Sequence, residues 1–161
     1  MKRLAFLLLL AGCGETTTPG TQPDGPTGVQ ATFTSLYGNY FGNCAECHAP
    51  GSRGDEFPGI EKTLDFTTKG TAYMTITMGM ASGLQGNFEG CNGVSFVEST
   101  PAQSLIVAVL DQSTRQAFDL SGHPDCDVDS ITDETLRVSA QPSSAFIAAL
   151  KSWIQQGAPN N

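Results

Sequence analysis

The sequence predicts a mainly α domain, and three observations point there. Apolar residues recur at steps of three and four between Phe33 and His48, between Tyr73 and Met78, and between Phe146 and Ile154. Residues that start and stop helices bracket those stretches. No alternating apolar and polar run is long enough to require a sheet.

The elements follow in order. Phe33, Leu36, Tyr37, Tyr40, Phe41, Cys44 and the Cys47/His48 pair line one face of an amphipathic helix, which Ala49-Pro50-Gly51 stops. The stretch from Ser52 to Lys62 is polar and interrupted by Gly and Pro, so it reads as a loop. Leu64-Asp65-Phe66 precedes a second, short helix expected from Thr71 to about Met80. Glycines at 79, 83, 86 and 90 mark a flexible loop rather than a packed element. Thr100-Pro101-Ala102-Gln103 has a capping threonine, proline at the first helical position and glutamine three residues after the cap. Leu105 through Leu110 then forms a buried helix. Pro142-Ser143-Ser144 opens a last helix with Phe146, Ile147, Leu150, Trp153 and Ile154 on one stripe, closed by Gly157.

The first helix ends in Cys44-Ala-Glu-Cys47-His48, a complete C-x-x-C-H sequence and the attachment pattern of a c-type haem. Two thiols three residues apart on a helical turn lie on one face, where they can add to the two vinyl groups of a porphyrin. His48 projects beside them as the proximal iron ligand. The expected cofactor is one covalent haem c. A zinc site would need a second ligand pair at close spacing, and the remaining cysteines of the domain, Cys91 and Cys126, stand apart. The Ser52 to Lys62 loop would then cover one haem edge.

The start of the chain agrees with this chemistry. Met1-Lys2-Arg3 is basic, and Leu4 through Ala11 is an apolar run far too short to span a bilayer. The segment reads as a signal peptide over residues 1–12. Leu10-Ala11-Gly12-Cys13 resembles the lipobox of bacterial lipoproteins, which implies cleavage before Cys13 and lipidation of that residue; the alternative is an ordinary secretory signal. Either exports the chain, and c-type haem attachment also takes place outside the cytoplasm. Gly14 is not the aspartate that signals inner-membrane retention in some bacteria, so a periplasmic or cell-surface protein, anchored by lipid alone and favouring the outer membrane, is expected. From residue 13 to 28 the chain has no apolar run to bury and several breakers, so it reads as a tether, leaving residues 29–161 as one domain.

The five cysteines then divide without remainder: Cys13 for lipid, Cys44 and Cys47 for haem, and Cys91 with Cys126 for a disulfide in an oxidising compartment. The alternative for the last pair is two buried thiols. The net charge is −8, and removing Lys2 and Arg3 with the signal leaves 6 basic against 16 acidic side chains, a charge of −10. Nucleic acid and anionic lipid surfaces are excluded as partners on that balance. A redox partner with a basic docking surface fits it, as does a plain role in solubility.

Taken together, the aromatic helix ending in Cys44-x-x-Cys47-His48, Leu64-Asp65-Phe66-Thr67, Val97 to Leu105 and the tail Trp153-Ile154-Gln155-Gln156-Gly157-Ala158-Pro159 resemble the single-haem class I cytochrome c domains of bacterial exported lipoproteins, of planctomycete or myxobacterial kind. The resemblance implies a cytochrome c-like helical fold around a covalent haem, with the first and last helices crossing beside it, a role open to Tyr40 and Trp153. It also implies a second axial ligand from a Met-Pro before the last helix, but this chain has no Met after Met80. His123-Pro124 stands instead, two residues before Cys126, which makes His123 the first distal candidate. Met80 and Met78 are the alternatives, and an open sixth position is the third. The implied function is single-electron transfer to or from an exported partner rather than enzymatic catalysis. A haem-based gas or redox sensor, a weak peroxidase with an open sixth position, or a haem-bearing docking module of a surface complex are the competing readings.

Overall fold

The computed structural model describes residues 28–51, 64–120, 122–129 and 141–161. The signal segment, Cys13, the tether up to residue 27 and the Ser52 to Lys62 loop lie outside them. Within the described residues the architecture is all-α, as expected, with no strand. One isolated antiparallel bridge pairs Met80 with Ser95. Among these residues no helix is long and apolar enough to cross a membrane.

The first helical run starts at α1 (Phe33–Leu36), passes through a π-helical turn (Tyr37–Phe41) and ends in α2 (Gly42–Cys44). Thr32 caps it by accepting from the Ser35 backbone N–H at 3.2 Å. The far end of the chain supplies further acceptors. Asn161 takes the Phe33 N–H on its side-chain oxygen at 2.9 Å and the Thr34 N–H on its carbonyl at 2.8 Å. Those donors are ones a helix leaves unsatisfied in its first turn.

The second helix, α3 (Lys69–Met78), begins and ends two residues earlier than the sequence suggests. Thr68 and Thr71 form a reciprocal capping box at its start. Its end is set at Gly79, where a Cβ would strike the Thr75 carbonyl and press on the Phe96 ring at 3.2 Å. Beyond Gly79 the chain pairs with residues 93–96, the Ala81 N–H donating to Val94 at 2.9 Å and the Gly93 N–H to Ala81 at 2.8 Å.

The glycine-rich stretch that follows is not the loose loop expected. It contains a 3-10 turn (Gly86–Cys91), and the Asn92 side chain bonds both the N–H and the carbonyl of Leu84, at 3.0 and 2.9 Å. Thr100 opens a short 3-10 turn (Pro101–Gln103), and the helix proper, α4 (Leu105–Leu110), starts after Ser104. Ser104 is fully buried, donating to the Thr100 carbonyl at 2.8 Å and accepting from the Glu98 N–H at 2.9 Å. A helix that the sequence reading omitted, α5 (Gln112–Leu120), packs on α4.

The last helix, α6 (Ser144–Gln155), is capped by Ser143 and buries Phe146, Ala149, Leu150, Trp153 and Ile154. It packs against α1. The contacting pairs are Phe33 on Trp153, with ring centroids 5.4 Å apart, and Tyr40 on Phe146 at 4.7 Å. The tail after α6 turns back, so that the Trp153 indole donates to the Pro159 carbonyl at 2.8 Å and the Tyr73 hydroxyl to Ala158 at 3.0 Å.

Candidate functional site

The end of the first helical run holds the C-x-x-C-H motif. The helical hydrogen bonding continues past α2, with the Cys47 N–H donating to the Cys44 carbonyl at 3.1 Å and the His48 N–H to the same carbonyl at 2.8 Å. Residues three and four apart on such a turn are neighbours on one face. Cys44, Cys47 and His48 are therefore brought together by local backbone geometry.

Their surroundings are graded from apolar to wet. Cys44 is half-buried, with its thiol pointing at the Tyr40 carbonyl at 3.7 Å, while Cys47 is exposed. Burial, and then the neighbouring Cys47, push the Cys44 thiol up to about 11, so it stays protonated at neutral pH. Burial, with a smaller contribution from Cys44, also raises the Tyr40 phenol. Behind the motif stands a wall of rings. Phe41 stacks on Phe66 at 5.6 Å and meets Phe146 edge-on at 5.4 Å.

Phe66 is held in place by three independent ties. Its N–H donates to the His48 carbonyl at 2.8 Å, the Tyr37 hydroxyl donates to its carbonyl at 3.1 Å, and its ring meets the His48 imidazole edge-on at 5.7 Å. Asp65 shapes the turn beside it by accepting from the Thr67 N–H at 2.9 Å and hydroxyl at 2.6 Å. The Leu64-Asp65-Phe66-Thr67 stretch thus has a structural reason, because it orients the ring beside the histidine. Sequence reasoning placed this stretch in the fold without seeing that contact. No local periodicity reports a partner 18 residues away across a polar segment.

The donor set fits a covalent haem. Cys44 and Cys47 are both outside the disulfide, as addition to vinyl groups requires, and the imidazole is carried on the same turn. Among the described residues no group of three or more His, Cys, Asp or Glu side chains is placed to hold a metal ion by itself.

The remaining predicted residues fall elsewhere. Cys91 and Cys126 form a disulfide and are 0% and 2% exposed, so the alternative of two buried thiols is set aside. His123, half-buried, stacks on Phe118 of α5 with centroids 4.9 Å apart, and its carbonyl accepts from the Cys126 N–H at 3.1 Å. Met78 and Met80 are 79% and 57% exposed. Cys13 lies outside the described residues. An open cleft of about 370 Å³, which sequence reasoning missed, lies between Tyr73 and Thr77 of α3, Val97 to Ser99, and Ile154 of α6. No protein-family model, no curated protein and no solved structure matches this chain, so its site stands on its own residues.

Proposed function

We propose that this chain is a monohaem c-type cytochrome that carries single electrons. The observation that carries the reading is the placement of Cys44, Cys47 and His48 on one helical turn, outside the disulfide, in front of the Phe41, Phe66 and Phe146 rings. When bound, haem supplies a one-electron iron couple. Cys44 and Cys47 would tether it, His48 would be the proximal ligand, and Phe66 would orient the imidazole. The aromatic wall would keep water from that side of the ring and so favour the less charged iron state. His123 is the proposed distal ligand, with Met80 and Met78 as rivals. The same reading makes the chain an exported lipoprotein anchored through Cys13, with an acidic surface suited to a basic redox partner.

The test is direct. Haem should remain on the polypeptide through denaturing electrophoresis and acid-acetone extraction, and the pyridine haemochrome should report two thioether links. Haem that extracts freely refutes the proposal. Carbon monoxide added to the reduced protein separates carrier from sensor, because an iron with two protein ligands resists it.

A further inference from the structure

Methionine use in this chain is uneven. The sequence has four, and three of them fall at Met74, Met78 and Met80. Those three are 54%, 79% and 57% exposed, and among the described residues no other large apolar side chain is exposed. On α3 the core side is set by the buried Ala72 and Ile76. With about 100° of rotation per residue, Met74 and Met78 lie on the far side of the helix from Ala72, with Cβ atoms roughly 5–6 Å apart. Gly79 then breaks the helix with ψ 155°, and Met80 follows at once, its backbone bridged to Ser95. Three long, unbranched, exposed side chains thus fall within seven consecutive residues.

Leaving three such side chains largely in water forgoes apolar burial that would stabilise each of them. A docking patch of purely apolar character would draw on Leu, Ile or Phe as readily, yet none is exposed in the described residues. What separates Met from those is its sulfur. Between Phe66 and Phe88 there is no carboxylate, imidazole or thiol, and the single charged residue is Lys69. The amine of Lys69 is engaged with the Thr34 hydroxyl at 2.9 Å. Within that stretch of chain the donors are therefore neutral, and the thioethers are the soft ones. Hard divalent ions and zinc need anionic oxygen, imidazole or thiolate, whereas thioethers select monovalent copper. We propose that Met74, Met78 and Met80 form a surface site for Cu(I), held by three thioether sulfurs.

The site is independent of the haem reading except at one point: Met78 and Met80 cannot also ligate iron. The test uses the full holoprotein carrying [13C]methyl-methionine, in oxygen-free buffer with ascorbate, titrated with Cu(I) supplied as its acetonitrile complex. Three methyl signals should shift together and saturate at one equivalent, and Zn(II) should move none of them. Each of Met74→Leu, Met78→Leu and Met80→Leu should weaken binding by no less than the roughly 10–100-fold that loss of an outer-shell partner costs. Fewer than three moving signals, no saturation at one equivalent, or undiminished Cu(I) binding by the triple leucine variant overturns the proposal. The haem spectrum of the Met78→Leu/Met80→Leu protein should be unchanged. Conversion to high spin would assign those sulfurs to iron, ending the copper site and leaving the cytochrome reading intact. Freely extractable haem would do the reverse, because the methyl titration reads the same with or without it.

Discussion

The surroundings of the C-x-x-C-H turn and of the His123 loop are held in place by different physics. Around the C-x-x-C-H turn, stability comes from continuous ring packing: Phe33, Phe41, Phe66, Phe146 and Trp153 are buried and in mutual contact from α1 through to α6. Around His123 the chain is short of such groups. There Phe118 is the buried ring, and the loop is fastened by the Cys91–Cys126 bridge and by close backbone approach of Gly90 to Asp125. Apolar packing holds a site rigidly in one arrangement, since any lost volume is felt at once. A cross-link instead limits how far a polar loop can wander without specifying each contact. The proximal histidine would thus be positioned by packing and the distal candidate by a tether.

The contrast breaks most severely at Trp153. Replacing it with alanine removes its tilted ring contact with Phe33 and its hydrogen bond to Pro159, and should cost about 3–5 kcal/mol. Denaturant unfolding of the oxidised protein measures this. The loss should appear as a fall in the midpoint and a lower yield of haem-loaded chain. A cost below ~1 kcal/mol would show that the packing of α1 and α6 is not what supports the motif.

The second break is at the bridge. Converting Cys91 and Cys126 together to alanine reopens a link across 35 residues and should cost about 3–4 kcal/mol in the chain-entropy account. Here the effect should be local as well as global. Amide exchange should quicken in residues 122–129 while Phe33 to Cys44 stays protected, and covalent haem should still form. Equal loosening in both regions would contradict the division between a packed region and a tethered one.

Much of this division was legible in the sequence, for reasons that differ from residue to residue. The C-x-x-C-H turn was readable because its members are three and four apart, so the backbone alone brings them together. The first and last helices were readable because buried aromatics repeat on one stripe. The bridge followed from cysteine arithmetic together with the expectation of export, neither of which needs geometry. α5 was missed because only Thr114 and Phe118 of its described side chains are buried, too few to establish a period. The structured Gly86–Cys91 turn was missed because its order comes from Asn92, the bridge and a paired segment, all of which depend on residues distant along the chain. The Phe66 contact with His48 and the partner of His123 are likewise long-range, and single-sequence periodicity is silent on both.

A smaller pair of substitutions sharpens the comparison by sign. At Gly90 a Cβ would fall on the Asp125 carbonyl, so Gly90→Ala must push the tethered loop away, at about 1–3 kcal/mol. At Gly38, in the packed region, nothing lies within 4 Å of an added Cβ and the backbone is not left-handed. Gly38→Ala should stabilise by about 0.4–1 kcal/mol, chiefly by narrowing the unfolded ensemble. Thermal unfolding of the two variants should therefore move in opposite directions. Two shifts of the same sign would mean that backbone freedom, not local crowding, governs both sites.

The smallest effect concerns the strut from α6 to the α4–α5 junction. Lys151 on α6 donates to Asp111, the residue joining α4 to α5, at 2.6 Å, and the two side chains are 32% and 17% exposed. Burial pushes the Asp111 carboxyl up, but hydrogen bonds from Lys151, Ser113 and Thr114 outweigh it and hold the carboxyl well below the usual range. A carboxyl depressed in the folded state contributes stability that is complete above its unfolded pKa of about 3.9 and is lost as pH falls toward the folded value. The strut should therefore hold at neutral pH and fail only in acid. Lys151→Met removes one of the donors and should cost about 0.5–1 kcal/mol at neutral pH, the upper part of the range for partly exposed pairs. It should also flatten the decline in melting temperature below about pH 4, because less of the depression remains to be lost. Melting curves of both proteins from neutral to strongly acid pH check this: the gap between them should close as the carboxyl is protonated. A gap that is constant with pH would mean that Lys151 contributes through the packing of its methylene stem, and that α6 and the α4–α5 junction are joined by apolar contact alone.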